Sequence, residues 1–228
     1  PQEETKSGSI SLQARDSLLE LGNRMDMVVM GPGLSLNEET QELVRWLAER
    51  IERPLLVDGD GITAVARDLD RLRSRGAPTI LTPHTGEMSR VTGIPIDGIR
   101  SSRIEVVQKT ARDLGAFVVL KEGISFVGYP DERVFINMTG NSGMSSAGSG
   151  DVLTGSIAAM LGLGLDVGEA VKAGVFIHGL AGDLAAGNIG QDGMTARDVL
   201  DSMPAAVKYY RENHARIRNE LYGKIVVI

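Results

Sequence analysis

The chain has 228 residues, with 24 Lys plus Arg against 30 Asp plus Glu, a formal net charge of −6 and no Cys. That length suits one large α/β domain or two small ones with a self-sufficient core, and the lack of Cys excludes disulfides, thiolate nucleophiles and Cys-based zinc sites. At 42% hydrophobic and 24% charged the composition is that of a globular protein; no run reaches a membrane span, no secretory signal is visible and the negative charge disfavours nucleic acid, so a cytoplasmic protein is expected.

In chain order, Met27 to Met30 reads as a buried strand running into the tight loop Gly31-Pro32-Gly33. From Glu38 to Ile51, Leu43, Val44, Leu47 and Ile51 share one helical face, with Glu42, Arg45 and Glu49 outside. Leu55 to Val57 is a second buried strand entering the acidic turn Asp58-Gly59-Asp60-Gly61, and Thr79 to Leu81 a third entering Thr82-Pro83-His84-Thr85-Gly86-Glu87. Ser102-Arg103-Ile104-Glu105 has capping-box spacing and opens a helix to about Leu114. Phe117 to Leu120 is a fourth strand, ending at Lys121-Glu122-Gly123. Ser125 to Gly128 and Arg133 to Met138 then flank the hairpin turn Tyr129-Pro130-Asp131-Glu132. A long small-residue loop, Thr139 to Asp151, precedes a helix to about Leu163. Two more helices follow, Gly168 to Ala186 and Thr195 to about Glu220, then a short apolar end, Ile225 to Ile228.

Strands alternating with helices predict an α/β fold: a mostly parallel central sheet covered by helices on both faces, with a β-hairpin towards the C-terminal half. With no linker or repeat, residues 1–228 are expected to form a single domain. The polar loops Gly31–Gly33, Asp58–Gly61, Thr82–Glu87 and Lys121–Ser125 then fall at the carboxyl ends of the strands, where such sheets bind ligands.

The densest chemical signal is Ala147-Gly148-Ser149-Gly150-Asp151-Val152-Leu153-Thr154-Gly155. Small residues let the backbone approach an anion, and the following helix turns its free N–H groups towards it, so phosphate can bind despite the negative net charge. Asp151 is placed to take a proton from a hydroxyl attacking that phosphorus. The plain alternative is that Asp151 only caps the helix.

Of the three histidines, His84 follows a strand end and reads as a residue of the ligand crevice, the alternative being an ordinary surface histidine of a loop. His178 lies among Phe176, Ile177 and Leu180 and reads as a packed or hydrogen-bonded helix residue, and His214 sits in a charged tail. Asp58 and Asp60 read equally as metal-side carboxylates or as turn formers.

Leu81-Thr-Pro-His-Thr-Gly-Glu-Met88, Thr139-Gly-Asn-Ser-Gly-Met144, the Ala147–Gly155 segment and His178-Gly-Leu-Ala-Gly-Asp183 occur in this order. Together with Gly31-Pro-Gly-Leu34, the acidic turn and Thr195-Ala-Arg-Asp-Val-Leu200, they resemble the NAD(P)H-hydrate dehydratase family of the ribokinase-like superfamily. The resemblance runs from about Met27 to Pro204. It implies a ribokinase-like three-layer sandwich and an ADP- or ATP-dependent repair of hydrated NADH or NADPH, NAD(P)HX, with Mg²⁺ accompanying the nucleotide.

By that resemblance, Asp151 is the base and Ala147, Gly148, Ser149 and Gly150 form the anion hole. Lys121, Glu122, Gly123, Ile124 and Ser125 would contact the nucleotide, as would Asn141, Ser142, Gly143, Met144, Ser145 and Ser146. Gly33, His84 and Asp151 would face NAD(P)HX, and Glu87 and Asp58 would hold metal-bound waters. A homotetramer and a fused or separate epimerase domain are further implied partners.

Departures are Ala147 where the family usually has Gly, Asp58-Gly59-Asp60 for Asp-Ala-Asp, Thr63 near a usual Asn, and Ser142 for Pro. The family also carries a strand and a glycine-rich loop ahead of the point matching Pro1, so part of a longer polypeptide is expected. A kinase of the same superfamily and a non-catalytic nucleotide-binding fragment are the competing readings.

Overall fold

Short runs of β-branched and leucine residues build the strands because both of their faces are to be covered. In the computed structural model, which describes residues 2–221, Leu55–Val57 is completely buried and Thr79–Leu81 nearly so, as parallel strands flanked by helices on both faces must be.

Two compact units are present, one made of the chain up to Leu120 with Gly128–Glu132, the other of Lys121–Val127 and the chain from Arg133 onward. The first begins with a 3₁₀ turn at Leu12–Ala14, then α1 (Arg15–Asn23), β1 (Val28–Met30), α2 (Glu38–Arg50), β2 (Leu55–Val57), α3 (Asp60–Val65) and α4 (Asp70–Arg73). It continues through β3 (Thr79–Leu81), α5 (Thr85–Thr92), α6 (Ile96–Ser101), α7 (Arg103–Leu114) and β4 (Phe117–Leu120). These strands pair in parallel in the order of the sequence, with Val29 opposite Leu56, Leu56 opposite Ile80 and Ile80 opposite Phe117. Each parallel step carries a helical crossover, as the spacing predicts.

The core of this unit gathers Leu43, Val44 and Leu47 of α2, and Ile51 just after it, against Leu55, Val57, Ile62 and Leu81. Asn37 caps α2 by accepting from the Glu39 and Thr40 amides, Glu38 and Glu39 occupy its first turn, and Arg50 its last. Arg75 secures the far end. Its guanidinium bonds the carbonyls of Ala48, Ile51 (2.8 Å) and Arg53 (2.9 Å) and the Thr79 hydroxyl (2.8 Å).

Strand β5 (Ser125–Gly128), which lies in the second unit except for Gly128, neighbours β6 (Val134–Asn137). After them come α8 (Ser149–Gly162), α9 (Val167–Ile189) and α10 (Ala196–Arg216). Ile177, Leu180, Ala181 and Ala185 of α9 form a core with Met194, Val199 and Ala206.

Three expectations change. Val29 is 42% exposed, because among the described residues β1 is the outermost strand and its outer face lacks the cover that β2 and β3 receive. Ser102 makes no capping bond despite its spacing; its amide closes α6 by donating to Ile99 O, which holds its backbone at φ −135°, ψ 46° between two helices. The last long helix ends at Arg216, after a non-helical Asn213, and passes into a π turn over Ile217–Leu221. The apolar end at Ile225–Ile228 lies outside the described residues.

Candidate phosphoryl-transfer site

The first unit brings three of the predicted loops together at the carboxyl ends of β1, β2 and β3. Gly31 has φ +139°, and a Cβ there would lie 1.7 Å from the Asp58 carbonyl oxygen, so only glycine lets the first loop rest on the second. The Asp60 carboxylate accepts from the Ser35 amide (2.9 Å), and Asp58, 2% exposed, accepts at Oδ1 from the Gly59 amide (2.9 Å). Both acids build turns, whatever else they do. Gly33 lies on the exposed rim of this group with φ +70°.

His84 caps α5. Its Nδ1 accepts from the Gly86 (3.0 Å) and Glu87 (3.2 Å) amides, and the Glu87 carboxylate accepts from the His84 amide (2.8 Å) in return, a complete capping box. Accepting at Nδ1 leaves the ring proton on Nε2, which stands 3.4 Å from Glu87 Oε1, while the side chain remains 55% exposed. His84 is therefore a locked ring at the mouth of a strand end.

Glu87, with its side chain 7% exposed, is bound into this cap, and among the described residues no three His, Asp or Glu gather into a metal cage. Such a donor set fits Mg²⁺ only through water and a nucleotide's own phosphates.

The second unit holds the predicted nucleotide and catalytic residues. The helix cap of α8 is Gly148, in the left-handed region at φ +88°, with no side-chain capping bond. Asp151 is the third residue of the helix rather than its cap, so the plain capping reading does not hold. Its side chain is exposed, and among the described residues it has no hydrogen bond or ion pair. The Ser149 amide donates to Ser146 O (3.2 Å) and the Val152 amide to Gly148 O (3.1 Å), whereas the Gly150 and Asp151 amides have no protein acceptor among the described residues. Two of the amides at the helix start are thus open to an anion, and Ser149 of the expected four is engaged by its own turn. Ala147 is not among the residues with positive φ, which explains why its methyl group is accommodated.

Upstream, Asn141 accepts at Oδ1 from the Gly143 amide (3.1 Å) and Ser142 bonds Gln191 (2.7 Å), shaping a 3₁₀ turn over Ser142–Met144. Asp183 accepts from the Gly140 amide and from Asn141 Nδ2, each at 3.0 Å. This supporting role is missing from the sequence reading, although Asp183 ends one of its motifs. The Ser146 hydroxyl is buried and unpartnered. His178 is 9% exposed, and its Nε2 has no partner. Burial pushes its pKa down to about 4, against the opposing influence of the Ser149 backbone, and the positive charge of Lys121 adds to the lowering. Ile124 of the Lys121 loop is 43% exposed.

The chain is similar to characterised proteins over nearly its whole length. A family model described as NAD(P)H-hydrate dehydratase matches residues 2–205. The bifunctional NAD(P)H-hydrate repair enzyme of Thermofilum pendens is 51% identical over 98% of this chain, which spans 43% of that protein's length. Among solved structures, the ADP/ATP-dependent NAD(P)H-hydrate dehydratase of Bacillus subtilis, co-crystallised with ATP and Mg²⁺, is 27% identical with a TM-score of 0.73, covering 84% of this chain and 69% of that one. A ribokinase-like superfamily protein from Enterococcus faecalis is 25% identical with a TM-score of 0.73, covering 88% of this chain and 69% of that one. The fold is the ribokinase-like α/β fold, and the chain belongs to the NAD(P)H-hydrate dehydratase family.

Proposed function

We propose that this chain carries out the nucleotide-dependent dehydration of hydrated NADH or NADPH, with ADP as phosphoryl donor and AMP and phosphate as products. The observation that carries this reading is the start of α8: a left-handed glycine cap, two open amides and an exposed, unpartnered Asp151 within one helical turn. Family membership supplies the substrate class.

Hydroxide is a poor leaving group and phosphate a good one, so the chemistry needs a phosphoryl transfer before elimination. Asp151 takes the proton of the ring hydroxyl, whose oxygen attacks the terminal phosphorus of ADP while the bond to the AMP oxygen breaks. The Gly150 and Asp151 amides and the positive end of α8 stabilise charge on the phosphoryl oxygens as they pass through the transition state. The ring-nitrogen lone pair then expels phosphate, and loss of a proton from the adjacent carbon restores the double bond. Lys121 to Ser125 and Asn141 to Ser146 bind the nucleotide; Gly33 and the locked His84 ring face the hydrated nicotinamide. Mg²⁺ would neutralise charge on the nucleotide's phosphates, with Glu87 and Asp58 reaching it through water. A homotetramer, a cytoplasmic location and an epimerase domain as fused or separate partner belong to the same reading and rest on resemblance.

The test is to supply hydrated NADH with ADP and, in parallel, with ATP. Recovery of dihydronicotinamide absorbance, with one AMP and one phosphate per turnover from ADP, is expected. Nucleotide consumption with no recovered absorbance points to a kinase, and tight binding with no turnover to a non-catalytic fragment; either result refutes the proposal.

A further inference from the structure

The loop that leaves β1 is held at both feet and along its flank. At one foot Gly31 rests on the Asp58 carbonyl. At the other, Leu34 packs against the core of the first unit and its amide donates back to Gly31 O (3.1 Å). The crest between them, Pro32 and Gly33, is exposed. The start of α3 lies along this loop. A Cβ on Gly61 would stand 2.9 Å from Gly31 Cα and from Met30 O, and one on Gly59 would stand 3.6 Å from Pro32 Cα. Between those two glycines, Asp60 Oδ2 accepts from the Ser35 amide (2.9 Å).

Ser35 is strained. Its φ is +83°, and among the described residues the other non-glycine with positive φ is Glu132. Glu132 closes the turn between β5 and β6, its amide donating to Tyr129 O (3.1 Å), and a left-handed residue is ordinary in a hairpin turn. Ser35 instead joins a strand to a helix, and α2 does not require the strain, because Asn37 caps it two residues later. A left-handed serine persists only where its surroundings fix it. Two groups do so here: Asp60 takes its amide, and its hydroxyl accepts from the Asn37 amide (3.2 Å).

We propose that Asp60 is a positioning residue for the substrate: through the Ser35 amide it keeps the Gly31–Ser35 loop in the strained form that presents the Pro32–Gly33 crest to the hydrated nicotinamide. This rests on the assignment of Gly33 to the substrate. Of the two readings of Asp60 as a metal-side carboxylate or a turn former, the geometry selects the second and gives that turn a task. Asp60 acts through Ser35, not on the reacting atoms.

The experiment compares Asp60→Ala, Asp60→Asn and the double variant Asp60→Ala with Ser35→Gly against the unaltered chain. It reads kcat and KM for hydrated NADH at saturating ADP and Mg²⁺, ADP affinity by calorimetry, and the thermal midpoint. Asp60→Ala removes the acceptor, so KM should rise about tenfold, the worth of one hydrogen bond to a charged group. The crest meets the substrate before and during the transfer alike, so kcat and ADP affinity should stay within about threefold. Asp60→Asn keeps an acceptor oxygen at the same reach and should stay within about threefold in KM. Glycine adopts the left-handed form without a clamp, so adding Ser35→Gly to Asp60→Ala should bring KM back to within about threefold of the unaltered chain. Unchanged KM in Asp60→Ala overturns the proposal. So does a fall in kcat and ADP affinity that Asp60→Asn shares, which would put the carboxylate at the metal. Loss of folding in Asp60→Ala that Ser35→Gly does not restore also overturns it, by making Asp60 a structural residue. Absence of turnover in the unaltered chain refutes the proposed function itself, so the two failures are distinguishable.

Discussion

Two glycines on the α8–α9 pair predict opposite outcomes for the same substitution. Gly155 is exposed on α8 with nothing within 4 Å of where a Cβ would stand, whereas Gly174 of α9 is buried, and a Cβ there would lie 2.6 Å from Ile157 Cα and 2.8 Å from Ile157 N. Replacing a helical glycine by alanine removes backbone entropy from the unfolded chain and stabilises by roughly 0.5–1 kcal/mol where there is room. At Gly174 the same gain is set against a shortfall of about 0.8 Å from ordinary contact with the backbone of α8, and overpacking of this kind costs about 1–3 kcal/mol. Gly155→Ala should therefore melt above the unaltered chain and Gly174→Ala below it. The gain being common to both, the two should be separated by the overpacking cost, roughly 1–3 kcal/mol, or about 2–12 °C for a chain of this size. Gly174→Ala should also lower turnover, because α8 carries Asp151 and has to move. Thermal melting followed by circular dichroism measures the separation. Equal midpoints, or Gly174→Ala as the more stable variant, would refute the close packing of these helices.

His178 makes stability pH-dependent: its folded pKa of about 4 lies below the unfolded value of 6.5, so the unfolded chain binds the extra proton between these values and the stabilisation, intact above pH 6.5, is lost as pH falls towards 4. Urea denaturation at pH 7 and pH 5 should differ by about 2 kcal/mol from this group, and His178→Leu should remove that part of the difference. Asp183→Ala leaves the Gly140 amide and the Asn141 side chain without their acceptor; a loss of about 2 kcal/mol in stability and roughly tenfold weaker ADP binding are expected by denaturation and calorimetry. Arg75→Met removes a guanidinium that bonds three carbonyls and a hydroxyl; urea denaturation should show a loss of about 2–3 kcal/mol, Arg75→Lys should not restore it, and ADP binding should be unaffected.

The strands and long helices are legible in the sequence because their signals are local. Leu55–Val57 and Thr79–Leu81 are continuous apolar runs ended by turn residues, and the face of α2 repeats at helical spacing. The glycine turn before α8 is legible for a similar reason: glycines before a helix leave few other backbone choices, and Gly148 takes the left-handed cap. Features that depend on what lies across the fold are not. Ser102 has the spacing of a cap, yet closing α6 fixes its backbone first. His84 reads as a ligand residue, and nothing in its local sequence shows that its ring does the work of a capping serine. Val29 has the composition of a buried residue and loses its cover by sitting in the outermost strand among the described residues. The support that Asp183 gives to residues about forty positions earlier is a tertiary contact, invisible to any window of sequence.

The central claim is that Asp151 activates a hydroxyl towards phosphorus held at the start of α8, and Asp151→Asn tests it most directly. The amide keeps the shape of the side chain and removes its basicity. Turnover of hydrated NADH with ADP should fall by about a thousandfold, within the range for loss of a general base, while ADP affinity changes by less than about threefold. Turnover retained within about tenfold of the unaltered chain would contradict the account, because the proton would then be leaving by another route.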